Sequence, residues 1–383
     1  MMRSNKALAR KILCGLLAAG VLGVSGSALA AESKPNEAIA GEDKNVNATY
    51  SDGKIDGVYY GLKATGNSST SKEAKISLTT ANVEINATGV GIQGTNWGSV
   101  VVGDKDTQNV SIYGSSQGVK LTRGSSAEIT GNKVKISNGK KGKALVEIDN
   151  AYSNVKRPAQ LTVKGKQIEF ESVGKVIDAK SNYKNDGTAP KTSVILGDDS
   201  TELLTMKGSS GIKAGKNSEI IGKARDISLA VNSTAVTTGV EATLYEAKVQ
   251  LTAKDNLLID VTSSTGAKAV YTSTTADVKF VGNDVKIKAT GDNGLVYGVQ
   301  SETQSNVLIF GNTAEISTAG GKNGSKGEIG SSALYANNTN IKVDANKVVV
   351  NTTKASEQAF AVYSNWGSNI ELGKDANSEV QIS

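Results

Sequence analysis

Apolar and polar residues alternate along this chain in short stretches, and the stretches come in pairs. Val278-Lys279-Phe280 is followed by Val285-Lys286-Ile287, Val307-Leu308-Ile309 by Ala314-Glu315-Ile316, and Ile341-Lys342-Val343 by Val348-Val349-Val350. The shared phrase reads apolar–x–apolar–x–(Gly, Ala or polar)–(Asn, Lys or Asp)–x–apolar–x–apolar, and it recurs eleven times. Its first apolar residue falls at 76, 100, 127, 161, 194, 220, 249, 278, 307, 341 and 370. That is a step of about 29 residues, the range of stacked repeat architectures.

A period of two is the strand period: Val278 and Phe280 share one face and Lys279 takes the other. Between paired strands lie short turns such as Gly282-Asn283 and Gly311-Asn312, residues that tolerate the left-handed backbone of a corner. Several copies carry a third apolar segment upstream: Ala269-Val270-Tyr271, Leu295-Val296-Tyr297, Ala333-Leu334-Tyr335 and Ala361-Val362-Tyr363. Three short strands and three corners make one coil. A single coil cannot bury its apolar face, so coils must stack, each strand taking a parallel partner above and below. The pattern therefore predicts an all-β fold, a single-stranded parallel β-helix of about eleven three-strand coils over residues 57–383. At about 4.8 Å per rung, ten steps make a rod of roughly 50 Å.

Longer steps hold insertions at corners, over 138–143, 150–158, 182–191 and 320–330. They are rich in Gly, Lys, Asn and Pro, as surface loops are. Pro158 and Pro190 fall inside them, where no ladder hydrogen bond is lost. Residues 31–56 show no repeat and read as a polar leader or N-terminal cap. The last strand, Val380-Gln381-Ile382, leaves an open edge, which is expected of part of a longer protein.

Residues 1–30 read as a signal peptide. Arg3, Lys6, Arg10 and Lys11 form a basic start, residues 12–24 an apolar core too short for a membrane anchor, and Ala28-Leu29-Ala30 a cleavage signal. Removing four cations and no acid lowers the formal net charge from +6 to about +2. The basic balance of the whole chain is thus no argument for nucleic-acid binding. The one cysteine, Cys14, leaves with the signal, so the exported chain has no disulfide option.

The signal peptide, the Gly/Asn/Thr-rich coils such as Ser305-Asn306-Val307-Leu308-Ile309-Phe310-Gly311-Asn312 and the lack of cysteine resemble the passenger regions of bacterial type V autotransporters. The resemblance covers residues 57–383. It implies a right-handed parallel β-helix shown on a Gram-negative cell surface, acting as an adhesin or stalk. Its partners would be host or neighbouring-cell surface proteins or glycans. The family's C-terminal outer-membrane barrel, the translocator, has no counterpart in this sequence.

Candidate chemistry is sparse. Gly89-Val90-Gly91-Ile92-Gln93-Gly94 matches G-x-G-x-x-G, but a strand follows where a dinucleotide site needs a helix, so these are expected to be corner glycines and no cofactor is called for. With no histidine in the chain, Ser–His catalysis and His/Cys zinc sites are excluded. Carboxylate chemistry survives in principle at Asp104 with Asp106 and at Asp198-Asp199. Paired acids there would serve a polysaccharide-active enzyme, or would simply be favoured turn residues. Tyr271, Tyr297, Tyr335 and Tyr363, one per coil, suggest an aromatic column, either a surface for sugars or proteins or packing along the stack. Tyr59 sits in a similar setting. Asn96-Trp97-Gly98-Ser99 recurs as Asn365-Trp366-Gly367-Ser368. Each tryptophan is either an exposed contact or a plug over the core. The expected function is a non-enzymatic, multivalent surface scaffold, with a polysaccharide-active enzyme or a plain spacer as alternatives.

Overall fold

The structure is a computed structural model that describes residues 38–40, 45–47, 53–67, 70, 72–150, 157–181, 190–321, 330–353 and 359–383. All lie in one unit, Lys34–Ser383. The proposed signal peptide and much of the 150–158, 182–191 and 320–330 insertions lie outside the described residues. Among the described residues there are thirty strands and no helix. The strands pair in parallel, coil upon coil. The antiparallel exception is an isolated bridge between Asn67 and Lys72.

One coil illustrates the rest. Gly98–Val102 lies on a first wall, Asn109–Gly114 on a second and Gln117–Thr122 on a third. Ser126–Thr130 then returns to the first wall, in register with Gly98–Val102. The repeat positions prove to be true rungs. Ile76 pairs with Val100, Val100 with Ala127, Ala127 with Leu161 and Leu161 with Val194. The column continues through Ile220, Val249, Val278, Val307, Ile341 and Ile370. Upstream of residue 57 the same register persists. Ala38–Ala40 pairs with residues 62–64 and Asn45–Asn47 with residues 75–77. The coils thus begin before the apolar alternation is strong enough to mark them.

Inward columns are aliphatic ladders. Leu251, Phe280, Ile309 and Val343 stack on consecutive coils and are fully buried. Burying one such side chain is worth about 1.5–3 kcal/mol, and each rung supports only its neighbours. Where hydroxyls replace aliphatics they form a ladder of their own: Thr272 Oγ1 donates to Ser301 Oγ at 2.7 Å, and Ser301 Oγ lies 2.6 Å from Thr339 Oγ1. The three buried hydroxyls of Thr272, Ser301 and Thr339 are thereby satisfied.

Corners differ by chemistry. From the third wall to the first, the chain turns through left-handed residues: Asn96 and Trp97, Thr274 and Thr275, Thr303 and Gln304. Each turn is hydrogen-bonded to the turn one coil on, as from Thr275 N–H to Thr303 C=O at 3.0 Å. At the start of the third wall stands a column that holds glycine at Gly91, Gly118, Gly211 and Gly239 and is interrupted by the buried Leu145 and Val176. A Cβ at Gly211 would overlap the Gly239 carbonyl.

Candidate binding surface

On the third wall three columns point outward, and towards the C-terminal coils they change character. The middle column runs Lys63, Gln93, Lys120, Glu147, Asp178, Lys213, Glu241, Tyr271, Gln300, Tyr335, Tyr363. It is polar or charged for seven rungs and largely aromatic thereafter. Val270 and Thr272, which flank Tyr271, are fully buried, so the tyrosine faces outward as strand alternation requires.

Tyr297 does not belong to that column. Its rung partners are Lys268 below and Ser332 above, while Gln300 stands between Tyr271 and Tyr335. The three-residue offset makes a second outward column: Lys268, Tyr297, Ser332, Phe360. The rings still meet. Tyr297 packs edge-on against Tyr335 with centroids 5.4 Å apart, and Tyr335 stacks on Tyr363 at 5.4 Å and 17°. Phe360 leans on Tyr363 at 5.7 Å. The rings therefore support one another along the stack, and Tyr335, Tyr363 and Phe360 keep part of their surface at the outer face. Tyr297 is buried, Tyr335 and Tyr363 are half-buried, and Phe360 is exposed.

A third, polar column borders the rings: Glu302, Asn337 and Asn365. Glu302 accepts hydrogen bonds from Tyr271 Oη at 3.2 Å and from Gln300 Nε2 at 2.7 Å. The Lys268 ammonium sits 4.2 Å from the Tyr271 ring centre, a cation–π contact. Burial pushes the Lys268 pKa down, opposed by the Glu302 carboxylate. Burial also raises the Tyr271 and Tyr335 phenols above their ordinary value. The charged pair and the polar column were not legible in the sequence, since they are neighbours only once the register is known.

The remaining candidates are placed elsewhere. Tyr59 lies at the corner before the third wall and packs edge-on against Tyr60 at 4.6 Å. Trp97 is 7% exposed and Trp366 76%. The two corners are not equivalent, because Trp97 is three residues from its first-wall rung Val100 and Trp366 four from Ile370. Trp97 is covered by later coils, with Gly124 against its ring and the Arg157 guanidinium over it at 4.3 Å, whereas Trp366 lies in the last coil. Gly91 and Gly94 lie within the strand Asn82–Thr95, and the next element is the strand Gly98–Val102, so the glycine motif serves packing.

Both carboxylate pairs are held in matching turns from the first wall to the second. Asp104 Oδ1 accepts from the backbone N–H groups of Asp106 and Thr107 at 2.9 and 3.1 Å. Asp198 Oδ1 accepts from Ser200 N–H at 2.8 Å and Ser200 Oγ at 2.6 Å. The Ser200 hydroxyl, with help from the backbone and from Lys164 and Lys223, holds the Asp198 carboxyl below its ordinary pKa. Asp199 reaches Lys223 at 2.7 Å. Among the described residues no cluster of three or more acids, cysteines or histidines has metal-holding geometry. No family model, no curated protein and no solved structure matches this chain.

Proposed function

We propose that the chain is an exported, surface-displayed binding scaffold, a passenger of the autotransporter type that acts by contact. The observation that supports this reading is the stack itself. Every rung presents outward side chains about 4.8 Å from those of the next, so weak contacts add along a wall and the product is avidity. The residues that carry contact are the aromatic columns of the third wall, with the exposed Trp366 at the adjoining corner. The polysaccharide-active alternative draws no support from Asp104 or Asp198, whose carboxylates are engaged in turns.

Export rests on the basic start, the apolar core and the Ala28-Leu29-Ala30 site. N-terminal sequencing of the secreted or surface form is expected to begin at Ala31. For function, purified residues 31–383 are expected to bind saturably to cells, matrix proteins or glycans. Absence of saturable binding to all three would overturn the scaffold reading. Steady release of reducing or unsaturated ends from polysaccharides, with or without calcium, would replace it with the enzymatic one.

A further inference from the structure

We infer that the C-terminal end of the third wall is a binding site for a linear neutral oligosaccharide, laid along the stack across the rungs of Tyr297, Tyr335 and Tyr363. This names the ligand class for the scaffold proposed above and rests on that reading.

The argument is chemical. A pyranose is amphipathic: its axial C–H faces are apolar and its rim carries hydroxyls. A protein surface that recognises it needs flat aromatic area beside hydrogen-bonding groups that reach sideways. The third wall supplies both in adjacent columns. Tyr335 and Tyr363 are stacked and half-buried, held by Tyr297 beneath and Phe360 beside. Their rings are therefore preorganised, and little side-chain freedom remains to be lost on binding. The bordering column, Glu302, Asn337 and Asn365, places a carboxylate and two amides along the same edge. Its spacing of about 4.8 Å per rung is close to the length of one sugar unit, so successive units meet successive polar groups, the two amides and a carboxylate that also accepts from Tyr271 and Gln300.

Charge decides between neutral and ionic glycans. Lys268 and Glu302 are of opposite sign and stand close enough to influence one another, and Glu241, one coil below Tyr271, adds a second acid near Lys268. Nothing else on these rungs carries charge, as Gln300, Ser332, Asn337 and Asn365 are neutral. A uronic-acid or sulfated chain needs a cationic surplus, which this surface lacks. The charged ladders of the same wall, Lys120 with Glu147 and Lys213 with Glu241, lie on earlier coils.

The probes are hexamers of β-1,4-linked glucose, β-1,4-linked N-acetylglucosamine and α-1,4-linked glucose, with a polyuronate hexamer and a sulfated hexamer as comparison, titrated calorimetrically into residues 31–383. At least one neutral hexamer is expected to bind. Tyr363→Ala and Tyr335→Ala are expected to weaken it about tenfold each. Tyr335→Phe, which keeps the ring, should stay within about twofold, and Lys286→Ala on the second wall should change nothing. Circular dichroism melts confirm that each variant is folded. Binding confined to the ionic hexamers, or unaffected by both alanine variants, overturns the site. So does a concentration-dependent dimer that Tyr363→Ala abolishes, since the face then belongs to a second copy. If no hexamer binds but cells still do, the oligosaccharide site fails and the scaffold stands. If neither binds, both fail.

Discussion

Lys213 Nζ lies 2.6 Å from Glu241 Oε1, and the two residues are partners on consecutive rungs of the third wall. The same arrangement recurs at Lys54–Glu84, Lys120–Glu147, Lys135–Glu169, Lys342–Glu371 and Lys347–Glu379, each of them both an ion pair and a register pair. An exposed ion pair contributes little to stability. Its larger effect is on register, since a slipped strand separates the paired charges.

Reversing one member tests this. Glu241→Lys is expected to destabilise by about 1 kcal/mol, while Glu241→Gln costs less than about 0.5 kcal/mol. Adding Lys213→Glu restores only part of the loss, because it sets a carboxylate over Asp178, the next residue of the column. Urea titration of the four variants measures the coupling. A reversal no worse than the neutral change would remove the role in register.

Left-handed corners store strain where the residue is β-branched. Thr303 has φ 52° and is exposed, with its N–H bonded to Asn337 C=O at 3.0 Å. The left-handed conformation costs about 1–2 kcal/mol for an L-residue, and glycine gives back about 0.5–1 kcal/mol in unfolded-state entropy. Thr303→Gly is therefore expected to stabilise by about 0.5–1 kcal/mol. A fall in the thermal midpoint would show that the threonine side chain supplies a compensating contact.

Much of the fold was legible from periodicity because the inward ladder at 76 to 370 must be apolar at every rung, and that constraint leaves a regular trace. Outward columns carry no such requirement, and there the alignment failed. Leu295-Val296-Tyr297 has the same apolar–apolar–aromatic form as Ala269-Val270-Tyr271, yet Val299, not Val296, is the rung partner of Val270. The true counterpart, Gly298-Val299-Gln300, lacks the aromatic that drew attention. Tyr271, Tyr335 and Tyr363 share one column, whereas Tyr297 stands three residues off it and is buried. Lys268 and Glu302 leave no trace in the sequence because single charges on a strand look like any solvated face.

Small residues at the start of the third wall are steric, not catalytic. A methyl group on Gly211 would overlap the backbone of Gly239 one coil on. Gly211→Ala is expected to cost about 1–3 kcal/mol, the range for forced overpacking. An unchanged urea midpoint would mean that the coils separate more easily than their packing suggests.

Acid should weaken the stack. Hydrogen bonds from Ser200 hold the Asp198 carboxyl low, Lys135 does the same for Glu171, and the Asn256 amide does so for Asp226. A carboxyl whose pKa is lower folded than unfolded stabilises above the unfolded value, about 4. That contribution is lost as the pH falls through the lower folded value. The thermal midpoint is expected to be flat near neutrality and to drop below about pH 4. Asp198→Asn should show a smaller drop between pH 7 and pH 3 than the parent. An equal drop in both would place the acid sensitivity elsewhere.

The two tryptophans offer a test of the corners that needs no ligand. Trp97 is buried beneath Arg157, which in turn pairs with the Glu73 carboxylate, whereas Trp366 stands in solvent. Truncating a buried tryptophan costs about 3–5 kcal/mol, so Trp97→Ala should sharply lower the urea midpoint. Trp366→Ala should leave it within about 0.5 kcal/mol of the parent. Fluorescence separates the two sites in folded protein. In Trp366→Phe the surviving indole is Trp97, and its emission should be blue-shifted and weakly quenched by acrylamide. In Trp97→Phe the surviving indole should emit to the red and quench readily. Equal quenching in both variants would mean that Arg157 and the coils above do not enclose the Trp97 ring.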